Sequence, residues 1–345
     1  MELTELVALS VKHNASDLHL CCGEFPRWRI QNSINTIPHT EKLTEAWFQA
    51  FSAQRLTPAL RQQLKRLGHC DFAFSCGENI RLRASLFTQR QGLSLSLRLL
   101  QSQVIAVERV KLPSSLLTRI MADKGLFLVT GATGSGKTTT LTTLIDYLNR
   151  HCQRHIIMLE DPIEFCHTNH GCLIQQREIG DHLSDLNSGI IAALRQDPDI
   201  IVIGELRDKK TIQLALSAAE TGHLVLATLH STDTMHALQR LVEAFSPAER
   251  DTTRHQLAQT LSAVLAQQLW YEAEQVNVVF ELLLNTTAMA SLIREGKFHQ
   301  IPGQLEQANQ EGMVSFRQSI ARHLTPHTDP VETVTNRDFQ TNFLK

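Results

Sequence analysis

The sequence lacks a charge surplus of either sign: 33 Lys and Arg stand against 35 Asp and Glu. No general pull toward nucleic acid or an anionic membrane follows, so any anion site has to be local. No apolar run approaches the length needed to span a bilayer. A cationic signal-peptide head is missing too, because Glu2 and Glu5 precede any basic residue. The segment from Met1 to His13 reads instead as an amphipathic helix with Leu3, Leu6, Val7 and Val11 on one face. The seven cysteines are odd in number and contain no CxxC pair, which reads as reduced thiols in a cytosolic protein rather than as a disulfide framework. Internal repeats and low-complexity tracts are also lacking.

What is present is a chain whose 42% apolar content suits a globular protein of one large or two ordinary domains. Up to about residue 100 the pattern is short alternating segments: Asp17 to Cys22, Arg27 to Gln31, Asp71 to Ser75, Arg81 to Phe87 and Leu93 to Leu100. A helical stretch from Glu45 to Leu67 interrupts them, and the sum predicts a small α+β domain over 1–100. In the last segment Leu93, Leu95, Leu97 and Leu99 point one way, and Ser94, Ser96 and Arg98 the other. Arg81, Arg83 and Ser85 likewise share a face, so two such strands in one sheet would collect arginines on its polar surface.

Residues 101–112 read as a connector, followed by a short helix that starts near Pro113. Over 113–345 the texture is α/β. Aliphatic segments at Leu126 to Thr130, His155 to Leu159, Ile200 to Ile203 and Leu224 to Leu229 alternate with helical ones at Thr138 to Asn149, Leu186 to Arg195 and Thr211 to Glu220. Near-continuous apolar strands between helices predict a parallel sheet covered on both faces. Beyond Ser231 the pattern predicts mostly helix, over Thr252 to Leu269 and Thr287 to Glu295, with one strand at Val276 to Leu283.

Gly131-Ala132-Thr133-Gly134-Ser135-Gly136-Lys137-Thr138 fits G-x-x-x-x-G-K-[ST] between a predicted strand and a predicted helix, the context this phosphate-binding loop requires. Its glycines let successive backbone N–H groups point into one cavity, and the following helix adds its positive end. Lys137 is placed to bridge the β- and γ-phosphates of ATP while the Thr138 hydroxyl holds Mg²⁺; Thr139 belongs to the same cradle. The bare pattern arises by chance in roughly one chain in a hundred of this length, and the context lowers that.

Three further groups join it. Asp199 to Ile203 forms a buried strand that ends in Gly204-Glu205, and Glu205 is the candidate to orient the attacking water. Most such ATPases carry a metal-linked Asp where Gly204 stands. Leu159-Glu160-Asp161-Pro162-Ile163-Glu164 supplies carboxylates at the same sheet edge, although such a cluster also serves as an ordinary loop. Thr221 to His230 is a third strand, with His230 at its carboxyl end, next to the γ-phosphate if its neighbour carries Glu205.

These motifs in this order resemble the secretion and pilus ATPases, and among them the PilT-like retraction motors, over nearly the whole chain. Ala15-Ser16-Asp17-Leu18-His19-Leu20 looks like the family's N-terminal signature, 131–138 its Walker A, 159–164 its Asp box, 199–205 its atypical Walker B and 221–230 its His box. The resemblance implies a PAS-like N-terminal domain, a RecA-like P-loop ATPase domain, a homo-hexameric ring, and catalysis by Glu205 with Glu164 and His230 in support. It further implies that Arg83 and Arg98 close over the phosphates, and that a cytoplasmic ring acts on a pilus or secretion platform protein of the inner membrane. Relatives that assemble pili or drive secretion carry a four-cysteine zinc insertion, which has no counterpart here. The retraction motors' C-terminal Ala-Ile-Arg-Asn-Leu-Ile-Arg-Glu reads Ala288-Met289-Ala290-Ser291-Leu292-Ile293-Arg294-Glu295, so Ala290 replaces an arginine; Ala132 replaces the usual loop proline.

Two other classes compete. A RecA-like nucleic-acid motor is disfavoured by the missing basic surplus and the lack of basic tracts interleaved with aromatics, and DNA-stimulated hydrolysis would revive it. A nucleotide-binding regulator without motor activity has the altered C-terminal helix as its support.

Overall fold

A computed structural model describes residues 2–77, 80–100, 104–121, 124–272, 275–308 and 312–323, with the backbone alone for 271, 272, 275, 276, 322 and 323. The chain forms two compact units, one of Met1–Gln103 with Pro162–Cys166, the other of Val104–Asp161 with His167–Lys345.

The first unit is built on β1 (Asp17–Cys21), β2 (Arg27–Ile30), β3 (Ser33–Thr36), β4 (His69–Cys76), β5 (Ile80–Gln89) and β6 (Gly92–Leu99). Among the described residues they form an antiparallel sheet in the order β3-β2-β1-β6-β5-β4. Period-two alternation decides its two faces. Leu18, Leu20, Phe72, Phe74, Leu82, Leu86, Leu95 and Leu97 point into a core completed by Leu6, Phe48 and Phe51. The helix Leu3–Lys12 buries Leu6, Val7 and Ser10, while Val11, expected on its inner face, is exposed.

The expected helical stretch from Glu45 to Leu67 is two helices, Glu45–Arg55 and Pro58–Leu67. Thr57 precedes a proline, which disfavours helical backbone at that position, and its hydroxyl instead accepts from the Leu60 N–H at 3.3 Å to start the second helix. Strand β3 went unpredicted because all four of its residues are exposed and carry no inward period.

The second unit contains β7 (Gly125–Thr130), β8 (His155–Glu160), β9 (Leu173–Glu178), β10 (Ile200–Ile203), β11 (Leu224–Leu229), β12 (Leu261–Glu272) and β13 (Gln275–Leu284). Their order is β13-β12-β7-β11-β10-β8-β9, parallel except for the antiparallel β13 at one edge. Strands β7, β10 and β11 are buried along their whole length, as a sheet covered on both faces requires. Covering helices include Lys137–His151, Leu186–Ala193, Lys209–Glu220, Thr234–Glu243 and Arg250–Thr260.

The prediction of helix from Thr252 to Leu269 holds only to Thr260; from Leu261 the chain is β12. Its Leu, Ala and Gln residues favour helix locally, but pairing with β7 and β13 and burial of Ala263 to Ala266 override that preference. The polar edge strand β9 was also unpredicted. Within the expected connector, Val107–Val110 forms a helical turn, whereas 101–103 lie outside the described residues, as do 324–345 of the expected C-terminal part.

Parallel pairing has one functional consequence. The carboxyl ends of β7, β11, β10 and β8 lie side by side, so Gly131, His230, Glu205 and Asp161 all leave the sheet at one edge.

Candidate functional site

The phosphate loop leaves β7 at Thr130 and enters the helix Lys137–His151 through Gly136, whose φ of 88° places it in the left-handed region. Gly136 caps this helix without a side-chain hydrogen bond, so the first N–H groups remain free to face an anion. Gly131 is compulsory on steric grounds: a Cβ there would come within 2.5 Å of the Gln267 carbonyl oxygen and of Ser135 Oγ. The loop borders an open cavity of about 340 Å³ lined by Gly131, Ala132, Thr133, His230, Ser231 and Thr232.

Lys137 is buried beneath it. Its Nζ donates to the carbonyls of Gly131 and Ala132, each at 2.8 Å, and lies 3.3 Å from His230 Nδ1. Burial pushes the pKa of this ammonium down, and the Glu205 carboxylate opposes that shift. Because an ammonium can only donate, His230 Nδ1 is the acceptor, and the ring proton sits on Nε2. That nitrogen faces Glu205 Oε1 at 3.2 Å. The second oxygen of Glu205 receives Arg207 Nε at 2.7 Å, and Arg207 Nη1 extends to Asp161 Oδ2 at 3.4 Å. The result is a continuous polar chain from Asp161 through Arg207, Glu205 and His230 to Lys137.

The glycine before Glu205 has a local cause. Gly204 N–H donates to the Leu159 carbonyl at 2.9 Å, and a Cβ on Gly204 would stand 3.3 Å from that oxygen. Strand β8 therefore crowds the position where most P-loop ATPases place an aspartate. Thr228 Oγ1 donates to the Gly204 carbonyl, and Arg240 to the His230 carbonyl, which fixes both strand ends.

Among the described residues no group of three or more His, Cys, Asp or Glu forms a metal cage. That suits Mg²⁺, a hard ion that keeps its waters and takes one or two protein oxygens besides phosphate. Thr138, exposed in the first turn of its helix, and Asp161 are oxygen donors of the right kind.

In the first unit Arg83 and Arg98 are directly opposed on β5 and β6, and Asp17 is opposed to both Arg98 and Arg29. Arg98 Nε reaches Asp17 at 3.1 Å, Arg29 Nε at 3.9 Å, and Arg83 Nη1 stands 4.0 Å from Glu164. The expected arginine face is present, and Glu164 has an ion-pair partner on it. Arg81 shares that face and donates from Nε to the Ile163 carbonyl at 2.9 Å.

Sequence reasoning missed Gln267, Gln268, Arg207 and Arg240. Arg207 lies two residues beyond the Walker B segment 199–205 and had no stated role. The two glutamines lay in a stretch read as helix, which gave them no route to the pocket.

The chain matches the family described as Type II/IV secretion system protein over residues 3–338. It is 50% identical over 324 residues to YggR of Escherichia coli, described as uncharacterized, covering 92% of this chain and 97% of that one. It is 37% identical over 314 residues to the type IV pilus retraction ATPase PilT of Pseudomonas aeruginosa, covering 91% of each. Among solved structures, the pilus retraction motor PilT with bound ADP superimposes with a TM-score of 0.83 at 33% identity, over 93% of this chain and 96% of the other.

Proposed function

The chain belongs to the type II/IV secretion system protein family, as a PilT-like ATPase with a RecA-like domain behind a smaller N-terminal one, and from that premise we propose that it is a hexameric motor that retracts a type IV pilus. The observation that carries the reading is the chain Lys137–His230–Glu205 at the mouth of the phosphate loop. It joins the group that grips phosphate to the carboxylate that handles water.

On binding ATP, Lys137 exchanges the carbonyls of Gly131 and Ala132 for the β- and γ-phosphate oxygens, and loop amides over Thr133, Gly134, Ser135 and Gly136 complete the grip. Glu205 aligns the attacking water and accepts its proton. His230, bonded to both Lys137 and Glu205, transmits the presence of the γ-phosphate to the carboxylate. The Thr138 hydroxyl would hold Mg²⁺ beside the phosphates, where the ion would supply charge neutralisation for the leaving group. Arg83 and Arg98, whose side chains are 49% and 66% exposed, exchange Glu164 and Asp17 for phosphate oxygens.

The proposed partner is an inner-membrane platform protein and the proposed place of action the cytoplasm. Among the described residues no helix is long and apolar enough to cross a membrane. Deleting the gene in its host and scoring piliation and twitching tests retraction: surplus, non-retracting pili are expected.

One observation favours a second reading, a paralogue with another duty. Ala290, partly buried in the helix Thr287–Glu295, stands where retraction motors carry arginine. Unchanged pili in the deletion strain would select it.

A further inference from the structure

Gln267 lies on β12, beside the phosphate-loop strand, and is completely buried. Its Nε2 donates to the Ser135 carbonyl at 2.6 Å. Its own backbone oxygen occupies the space beside Gly131, and its Nε2 stands 3.3 Å from where a Gly136 Cβ would be. One residue thus touches the loop at both bounding glycines and at the peptide between them. Burying a carboxamide is costly unless it is bonded, and here Gln267 Oε1 and Ser135 Oγ are both buried with no hydrogen-bond partner among the described residues. An aliphatic residue would fill this place without that cost; what the amide adds is its bond to the Ser135 carbonyl.

We infer that Gln267 is a positioning residue for the phosphate loop, holding the Ser135–Gly136 peptide in the orientation that aims the Gly136 N–H at phosphate. In a trans peptide the C=O and N–H point in opposite directions. Drawing the Ser135 oxygen toward β12 therefore turns the Gly136 hydrogen away from β12. The next residue performs the matching task on the opposite wall, where Gln268 Nε2 donates to the Thr232 carbonyl at 3.2 Å. The inference rests on the nucleotide reading of this site.

The test uses the full chain and Mg·ADP. Gln267→Met keeps length and volume but removes the donor, and is expected to weaken ADP binding about tenfold, the equivalent of one lost hydrogen bond, with the nucleotide-free melting temperature little changed. Gln267→Glu separates positioning from packing. Its carboxyl donates to the Ser135 oxygen only when protonated, so its ADP affinity should recover relative to that of the wild type, measured in parallel, as pH is lowered from about 8 toward about 5.5, a range that spans a raised buried carboxyl pKa. If Gln267→Met does not fold, that pH-dependent recovery decides alone. Wild-type affinity in both variants, or weakened binding in Gln267→Glu that does not recover relative to the wild type at low pH, overturns the inference. Failure of the wild-type chain to bind ADP would instead overturn the nucleotide reading.

Discussion

Glu205 Oε1 stands 3.2 Å from His230 Nε2, a contact that links the ends of two neighbouring parallel strands. Its second oxygen is held by Arg207, so the carboxylate has a fixed orientation at the sheet edge before any substrate arrives. Glu205→Gln keeps the shape and removes the base. Phosphate release should fall by at least about 100-fold, while ADP affinity, which depends on the loop, changes less than about threefold. Steady-state hydrolysis and an ADP titration on the same preparation check the two halves.

His230 accepts from Lys137 on one side and donates to Glu205 on the other. A glutamine at this position offers one acceptor and one donor group, whereas alanine offers neither. His230→Ala should lower kcat about tenfold to 100-fold, and His230→Gln should recover a measurable part of it. Equal loss in both variants would show that the two-sided contact is not what matters.

The row Arg29, Asp17, Arg98, Arg83 crosses four strands of the first sheet, and it places two arginines directly opposite each other. Like charges in that arrangement are destabilising. Arg83→Ala should therefore leave the melting temperature unchanged or slightly raised, and lower turnover if the side chain serves phosphate. Asp17→Asn removes the carboxylate that offsets the row and should cost about 0.2–1 kcal/mol, read from urea unfolding. A large stability loss in Arg83→Ala with normal turnover would mark it as structural.

His167 supplies a pH dependence. Burial lowers its pKa from 6.5 to about 4, with Asp146 opposing. The ring thus binds its proton more weakly in the folded chain than in the unfolded one, so its contribution to stability is full above pH 6.5 and is lost as pH drops toward 4. The loss is on the order of 1–3 kcal/mol. Comparing urea unfolding at the two ends of that window in wild type and His167→Gln checks it: the variant should show the smaller difference.

Elements whose residues repeat with a clear period were legible in the sequence: the alternation of β6, the apolar runs of β7, β10 and β11, and the phosphate loop between a strand and a helix. Parallel pairing then brings Lys137, Glu205 and His230 together, as the order of the motifs suggested. Strand β12 was hidden because residues 261–269 favour helix in isolation and become strand only through their neighbours on both sides. With it went Gln267, whose position beneath the loop no local pattern reveals. The register that sets Arg83 against Arg98 is likewise a property of pairing, and alternation alone showed only that both lie on polar faces.

The central claim is that loop amides and Lys137 grip a magnesium-bound nucleotide. Calorimetric titration of Mg·ADP into the purified wild-type chain and into Lys137→Ala tests it most directly. Saturable binding by the wild type that is lost in the variant is the predicted result; no binding by the wild type, or undiminished binding by Lys137→Ala, would contradict it.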